Sequence, residues 1–508
     1  MKRYISNIIL ALAFAVTFTS CNAFLEEDPK TFLSPDAYFQ SEAQITAAVN
    51  GVYTFLDDCF TSSLELGSCN YLFLEYLHGY GDRVYAGSFL DLSQAINLDI
   101  KEDNWYIQNY WQTGYFAIEN CNSIIESFDK VTTDIISEAN KNKLYGEVYF
   151  LRAYNYFNLV RLFGELPLKV TSTKSEKDGE LPLSSIETVY AQIERDLVVA
   201  DSLMANNSWA SIQGRVAKGA VKSLMANVYI TMAGYPLQKG TTYYQKAYEA
   251  AKEVVAGNAF YLFDSYAGLR DVANENSGEN IWMIQCESQY AGSPVHANLL
   301  PYPAVTPKIS SSDAYGGALA PAQAFYESYT EGDLRVAEKG FYFTKHESLD
   351  NANEVVELGR PYIYKFWDDD CAKTGKSGKN YCLIRYADVL LMLAEAKAQA
   401  DGGTTSNADA IDAYYKVRHR ANPNESRPAS ISVNDILKER FWEICFEGQT
   451  WYDMLRTRKA FNVITGNIVN MIGYNAPSHS EGHAFEEADL LFPYPLREKR
   501  LNANLVRN

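Results

Sequence analysis

Apolar positions recur three and four residues apart over most of this chain, the spacing that lays one stripe along one face of an α-helix. Residues 35–56 begin the series: Ser34 suits the cap, Pro35 the first turn, and Ile45, Ala48, Val49 and Val52 form the stripe. Residues 105–128 carry another through Trp111, Tyr115, Ile118 and Ile125. Residues 141–163 are apolar around most of their circumference, which predicts a buried helix, ended by Gly164 and kept from continuing by Pro167. Further helices are expected over 186–204, 216–232, 243–256, 433–446 and, more briefly, 451–459. Leu224, Ala226 and Tyr229, followed by Ala247, Ala250 and Val254, read as a tetratricopeptide-like helix pair with small residues where helices approach closely. A similar pair falls within 386–421, through Leu390, Leu393, Ala394 and Ala396 and then Ala410, Ala413, Tyr414 and Val417.

Two stretches break the pattern. Residues 57–99 are rich in glycine and aromatics without clean periodicity and read as loop-dominated. Residues 257–382 are interrupted by Pro294, Pro301, Pro303, Pro307, Pro321 and Pro361, with 280–286 as a short strand. The expected fold is mainly α: a helical scaffold over about 35–256 and 383–508, carrying a loop-rich insertion over about 257–382. Loops on a rigid scaffold are where binding residues concentrate.

The N-terminus has a different logic. Lys2 and Arg3 precede an apolar run from Ile8 to Phe18 and then Thr19-Ser20-Cys21, the marks of a secretory signal peptide over residues 1–20. A cysteine directly after the small residue fits a bacterial lipoprotein in which Cys21 becomes the acylated first residue. Several acyl chains, at about 0.8 kcal/mol per buried methylene, anchor a protein stably without spanning the bilayer. The acidic run Glu26-Glu27-Asp28 reads either as a solvated tether or as a surface-export signal.

Loss of Lys2 and Arg3 with the signal takes the formal charge from −18 to −20. That balance argues against nucleic acid, whose binding needs clustered Lys and Arg to replace phosphate counterions. Tyrosine is abundant, 37 residues, and suits surfaces that are partly apolar and partly hydrogen-bonding. With Cys21 acylated, seven cysteines remain, an odd number. Cys121 and Cys445 fall in apolar helical patterns as buried thiols, while Cys59/Cys69 and Cys371/Cys382 flank loops closely enough for a clamp at each. Trp105, Trp111 and Trp282 sit in periodic patterns and are expected in the core. No phosphate loop, nucleophile elbow or dinucleotide fingerprint is present, and no cofactor is implied. His479 and His483 have metal-ligand spacing, but Gly482 and its polar neighbours place them in a loop, so no metal is expected. Asp368-Asp369-Asp370 reads as a solvated charge run rather than a calcium site, because successive side chains diverge.

Several segments together resemble one family. Leu151-Arg152-Ala153-Tyr154 with Phe163-Gly164 and Pro167-Leu168, Gly214-Arg215 with Gly219-Ala220, and Arg385-Tyr386-Ala387-Asp388 with Ala394-Glu395-Ala396 are the first three. Val417-Arg418-His419-Arg420-Ala421, then Glu439-Arg440 through Phe446-Glu447-Gly448 and Trp451-Tyr452-Asp453-Met454, and finally Phe492-Pro493-Tyr494-Pro495 with Leu501-Asn502-Ala503-Asn504-Leu505 complete the series. In this order they resemble the SusD/RagB lipoproteins over essentially the whole chain. Thr450 and Ala503 depart from the family pattern.

The resemblance implies a SusD-like α-helical fold with tetratricopeptide-like pairs and long irregular loop insertions, one domain over residues 21–508. It also implies a non-catalytic, outer-membrane, lipid-anchored partner of a SusC-like TonB-dependent transporter, facing the cell exterior and capturing oligosaccharide or polysaccharide. The alternatives are peptide capture and, more remotely, a lipid-anchored glycoside hydrolase. The hydrolase reading would use two of Glu439, Glu443 and Glu447, spaced as if on one helical face. Pairing with Arg440, Arg456 and Arg458 is the simpler account. Sugars need rings to stack on and directional polar partners. Two stretches supply both: Tyr76, Tyr80, Asp82, Arg83, Tyr85 and Phe89, and then Tyr290, His296, Asn298, Tyr302 and Tyr315, with Trp367 further on.

Overall fold

The computed structural model describes residues 39–60, 70–84, 90–128, 130–301, 309–311, 319–479 and 483–507. In chain order the N-terminal part contains α1 (Glu42–Phe60), α2 (Asn70–Leu77), β1 (Gly81–Asp82), α3 (Leu90–Ile96), α4 (Trp105–Phe128) and α5 (Glu138–Phe163). The short strands β2 (Leu166–Pro167) and β3 (Leu183–Ser184) then lead to α6 (Ile186–Leu203), α7 (Lys218–Ala233) and α8 (Thr241–Ala256). Consecutive long helices pack on one another from α4 to α8.

The insertion is more structured than its proline content predicts. It holds β4 (Asn280–Ile284), α9 (Pro294–Asn298), β5 (Ala320–Pro321), α10 (Gln323–Tyr326), the hairpin β6 (Tyr342–Glu347) and β7 (Val355–Ile363), α11 (Asp369–Thr374) and β8 (Tyr381–Arg385). Helices resume with α12 (Tyr386–Ala400), followed after β9 (Thr404–Thr405) by α13 (Ala408–Ala421). Then come β10 (Ile431–Ser432), α14 (Val433–Glu443), α15 (Thr450–Thr457), the hairpin β11 (Lys459–Asn462) and β12 (Asn467–Asn470), and α16 (Leu496–Leu501). The described strands form six two-stranded antiparallel ladders.

The two tetratricopeptide-like pairs, α7/α8 and α12/α13, are adjacent because α8 packs on α12. Helix α5 is buried on most faces, as its sequence predicts; Ser137 caps its start by accepting from the Asn140 amide, and Gly164 ends it at φ +73°. One core runs from Phe39 to Leu505, and a smaller second cluster lies under the insertion around Trp367, Phe343, Tyr362 and Ala320. No helix among the described residues is long and apolar enough to cross a membrane.

Three expectations are corrected. The stretch 57–99 contains α2 and α3, and all eight residues of α2 are buried. A helix buried on every side shows no amphipathic stripe, which is why periodicity missed it. Trp105, at the start of α4, is 37% exposed, whereas Trp111 and Trp282 are core. Cys371 and Cys382 are free thiols; Cys69 and the Cys59 side chain lie outside what is described, as do Cys21 and the signal segment.

Candidate functional site

The β1/β5 ladder pairs the first candidate stretch with the segment that follows the second. Gly81 pairs with Pro321 and Asp82 with Ala320, and the Ala322 amide extends the pairing by donating to the Tyr80 carbonyl at 2.8 Å. Because the strands are antiparallel, the chain leaves Asp82 at the same end of the ladder where it reaches Ala320. Arg360, on β7, locks this end: its Nη2 donates to Asp82 Oδ2 at 2.7 Å and to the Pro321 carbonyl at 3.0 Å. Ser478 donates to the other Asp82 oxygen, and Arg83 Nη1 donates to Ser93 Oγ on α3 at 2.6 Å. Asp82, Arg83 and Arg360 are each partly exposed, so the cluster reaches solvent.

Tyr290 stands at the tip of a tight turn and is 92% exposed. Glu287 and Ala291 exchange both backbone hydrogen bonds at 2.9 Å, and Glu287 Oε2 accepts from the Gln289 and Tyr290 amides. The turn is tied down where the Ser293 amide donates to the Ser377 carbonyl at 2.9 Å. Beside Ser377, Lys379 and Asn380 line a cleft together with Arg270, Glu275, Phe366 and Trp367. Lys379 Nζ bridges the Arg270 and Trp367 carbonyls at 2.7 and 3.0 Å, and the Asn380 amide donates to Glu275 at 2.9 Å. Burial pushes the Glu275 carboxyl up, against the bond from Asn380 and the charge of Lys379. The cleft's volume of about 40 Å³ admits only a few water-sized groups, so a larger ligand has to lie across this face.

The remaining predicted residues are placed unevenly. Tyr80, expected to point outward, is buried; its hydroxyl donates to the Phe461 carbonyl at 3.0 Å and accepts from the Phe461 amide at 2.8 Å. Tyr76 is buried as well. His296 and Asn298 are inside α9's contact surface, with His296 Nδ1 bonded to Ser293 Oγ at 2.9 Å and Asn298 Nδ2 donating to the Pro294 carbonyl at 2.9 Å. Burial pushes the His296 imidazole down to about 4, so it is neutral at pH 7. Trp367 is 5% exposed, stacked on Tyr364 with ring centres 5.5 Å apart, and its Nε1 donates to Asp369 at 2.8 Å. These buried groups support the loops from beneath. Tyr85, Phe89, Tyr302 and Tyr315 lie outside the described residues. Arg360, Ser478, Lys379 and Asn380 were not anticipated; Ser478 comes from a polar turn with no local signal.

The carboxylate series near the C-terminus is a structural brace. Helix α14 ends at Glu443, so Glu447 is not on the same helical face as Glu439 and Glu443. Nor are the anticipated arginines their main partners. Glu439 is held by Arg335 and Arg418, Glu443 by Arg335, Arg385 and Arg420, and Glu447 by Arg385 and Lys365. Asp333 and Glu279 join the network through Arg335, Arg418, Arg385 and Arg420, giving five buried carboxylates against five cations. Burial raises the Glu443 carboxyl, but Arg420, Arg385 and Arg335 outweigh it and hold it down at about 2. Glu439 and Glu443 are both shut off from solvent, so no sugar can meet them. Arg440 instead joins Asp388 to Asp453, and Arg456 joins Glu395 to Asp453.

The acidic triplet also works internally. Asp368 caps α11 by accepting from the Asp370 amide and takes the Ser377 hydroxyl at 2.6 Å, so it is not a solvated run throughout. Among the described residues no group of three His, Cys, Asp or Glu is arranged to hold a metal ion.

Comparison with known proteins agrees with this architecture. Residues 279–508 match the model of the SusD family, and residues 23–230 match a model described as "Starch-binding associating with outer membrane". SusD-like protein P2 of Formosa agariphila is 26% identical over 100% of this chain and 99% of its own length. The starch-binding protein SusD of Bacteroides thetaiotaomicron is 30% identical over a shorter stretch, 29% of this chain and 25% of that protein. The crystal structure of a SusD superfamily protein from Parabacteroides distasonis is 32% identical and superimposes with a TM-score of 0.84, covering 92% of this chain and 98% of that one. At 32% identity and with the fold shared over 92% of its length, the chain belongs to the SusD family.

Proposed function

We propose that this protein is a non-catalytic, cell-surface lipoprotein that binds oligosaccharide or polysaccharide on the face formed by the β1/β5 ladder and the Tyr290 turn. It would hand the glycan to a SusC-like TonB-dependent outer-membrane transporter while tethered to the outer membrane through acylated Cys21. The observation that carries the reading is the pairing of Asp82 with Ala320, clamped by Arg360. It holds the first stretch of rings and polar groups against the segment that follows the second, and rings together with polar groups are the combination sugars require. The starch-binding descriptions of a matching family model and of a relative support a carbohydrate ligand. The locking of Glu439 and Glu443 inside an ion network supports binding over hydrolysis. Because Asp368 and Asp369 are engaged internally, the acidic triplet offers no argument for basic peptides.

The test is affinity electrophoresis and calorimetry of the mature protein against a broad panel of neutral and acidic glycans, with a reducing-sugar assay run in parallel. Retardation by at least one glycan without turnover is expected. Absence of binding across the panel would sink the glycan reading, and turnover abolished by one Glu→Gln change would make the protein an enzyme. Pull-down from native membranes is expected to bring a large β-barrel, and its loss on Cys21→Ala together with membrane release tests the tether.

A further inference from the structure

Arg161, near the end of α5, is a cation without an anion. Its guanidinium lies between two rings, 3.8 Å from the centre of Phe157 and 3.5 Å from that of Tyr452. Nε donates to the Phe157 carbonyl at 3.1 Å and Nη2 to Asn158 Oδ1 at 2.5 Å, both neutral acceptors. No carboxylate forms an ion pair with it among the described residues, in contrast to Arg152 one helical stretch earlier, which holds Asp196 in a bidentate pair. The nearby carboxylate of Asp453 is already taken by Arg440 and Arg456. Burial accordingly pulls the Arg161 guanidinium below its ordinary value.

A second orphan lies beside it. Tyr190, on α6, is 2% exposed, and its hydroxyl makes no hydrogen bond among the described residues. Arg161 and Tyr190 line one cavity of about 70 Å³, shared with the aliphatic side chains of Val160, Ile186, Leu455 and Leu491 and with Arg456 and Arg458. At roughly 10–15 Å³ per water, the space fits roughly five to seven water-sized groups. Just after α7, Gly234 lacks a side chain, which lets the chain approach Arg456 so that the Tyr235 amide donates to the Arg456 carbonyl at 2.8 Å, and Tyr235 and Pro236 then border the cavity.

We propose that this cavity is a binding site for a small carboxylic acid with a short apolar body, distinct from the loop face assigned to glycans. The ring sandwich fixes the guanidinium plane in advance. Its N–H groups not used by Phe157 and Asn158 then match the two oxygens of a carboxylate. The Tyr190 hydroxyl supplies a further donor, and the aliphatic walls suit the acid's carbon chain rather than a fully hydrated phosphate. A partly buried charge without a counter-ion is unfavourable, and an entering carboxylate relieves it.

Titration of the folded wild-type protein with sodium butyrate, acetate and inorganic phosphate at pH 7, followed by calorimetry or ligand-observed NMR, tests the assignment. Saturable butyrate binding is expected, stronger than acetate and not displaced by phosphate. Arg161→Gln and Tyr190→Phe should each weaken it by roughly tenfold or more, the range for hydrogen bonds to a charged group. Thermal unfolding checks that each variant is folded, and Tyr190→Phe decides alone if Arg161→Gln is not. No saturable butyrate binding, equal binding in the folded variants, or phosphate binding as tightly as butyrate would overturn the proposal. Glycan retardation is expected to be unchanged in both variants, which separates this outcome from that of the loop face.

Discussion

Arg360 reaches from one strand of a hairpin to a residue far away in sequence, donating to Asp82 at 2.7 Å while its second bond takes the carbonyl of Pro321. One side chain thereby holds both strands of the β1/β5 ladder. Arg360→Gln keeps much of the length but loses the charge on the bond to Asp82. Because the pair is partly exposed, the stability loss should stay near 1 kcal/mol or below. Glycan affinity should fall further than stability; a chemical-denaturation curve and a binding isotherm on the same variant show whether it does.

Tyr290→Ala removes a ring that touches little of the protein. The unfolding midpoint should not move, while glycan affinity drops by about tenfold, as for an aromatic contact residue. Undiminished retardation in affinity gels would take Tyr290 out of the binding face.

Tyr80→Phe gives the opposite pattern. The Phe461 amide and carbonyl both lose their partner in a buried setting, at a cost of about 1–3 kcal/mol. Glycan binding should persist once the variant is folded, which urea denaturation combined with gel retardation can establish.

Arg385→Met leaves Glu279, Glu443 and Glu447 short of a counter-ion within the buried network. Breaking a buried ion pair from one side costs about 3–5 kcal/mol. We expect loss of soluble protein or a large fall in the denaturation midpoint, against little change for the exposed pair partner Arg427→Met.

Among the groups that shape the acid limit, His296, with His479 shifted the same way by burial, acts above Glu443, and their windows meet near pH 4 to 4.5. The folded His296 titrates near 4, below its ordinary value of 6.5, so between these values the unfolded chain binds more protons and stability falls as pH drops through that range. Glu443, held near 2, contributes fully above its ordinary value of 4.5, and that contribution is lost as pH falls from 4.5 towards 2. Urea unfolding from pH 7.5 to 3 should show decline beginning near pH 6.5, with His296→Gln flattening the upper part of the slope.

Residues 105–128 were legible as α4 because one face meets the core, and 141–163 within α5 because the run is apolar around most of its circumference and too long for a strand. The family segments proved to be the places where buried ions sit. Arg152 meets Asp196, Arg215 meets Glu147, and Arg385, Arg418 and Arg420 converge on the acids of α14 and its neighbours. Helical spacing identified Glu439 and Glu443 but suggested partners close in sequence, whereas Arg335 and Arg385 come from 104 and 58 residues away. The candidate face was legible as two compositions only. Which rings turn outward depends on contacts such as Tyr80 with Phe461, and no local pattern encodes a partner that distant.

Helix α2 and the strand after it also bear on how the molecule assembles. Tyr71 bonds the Phe446 carbonyl, the Gly448 amide bonds Glu75, and Tyr80 bonds Phe461. Each contact closes a loop of more than 370 residues, so its entropic cost is met only after nearly the whole polypeptide is available. A chain made from its N-terminus therefore carries Tyr71, Glu75 and Tyr80 without these partners until the last quarter is synthesised. During that interval the apolar surface of α2 is open to wrong associations, and the completed fold begins with the meeting of its two ends.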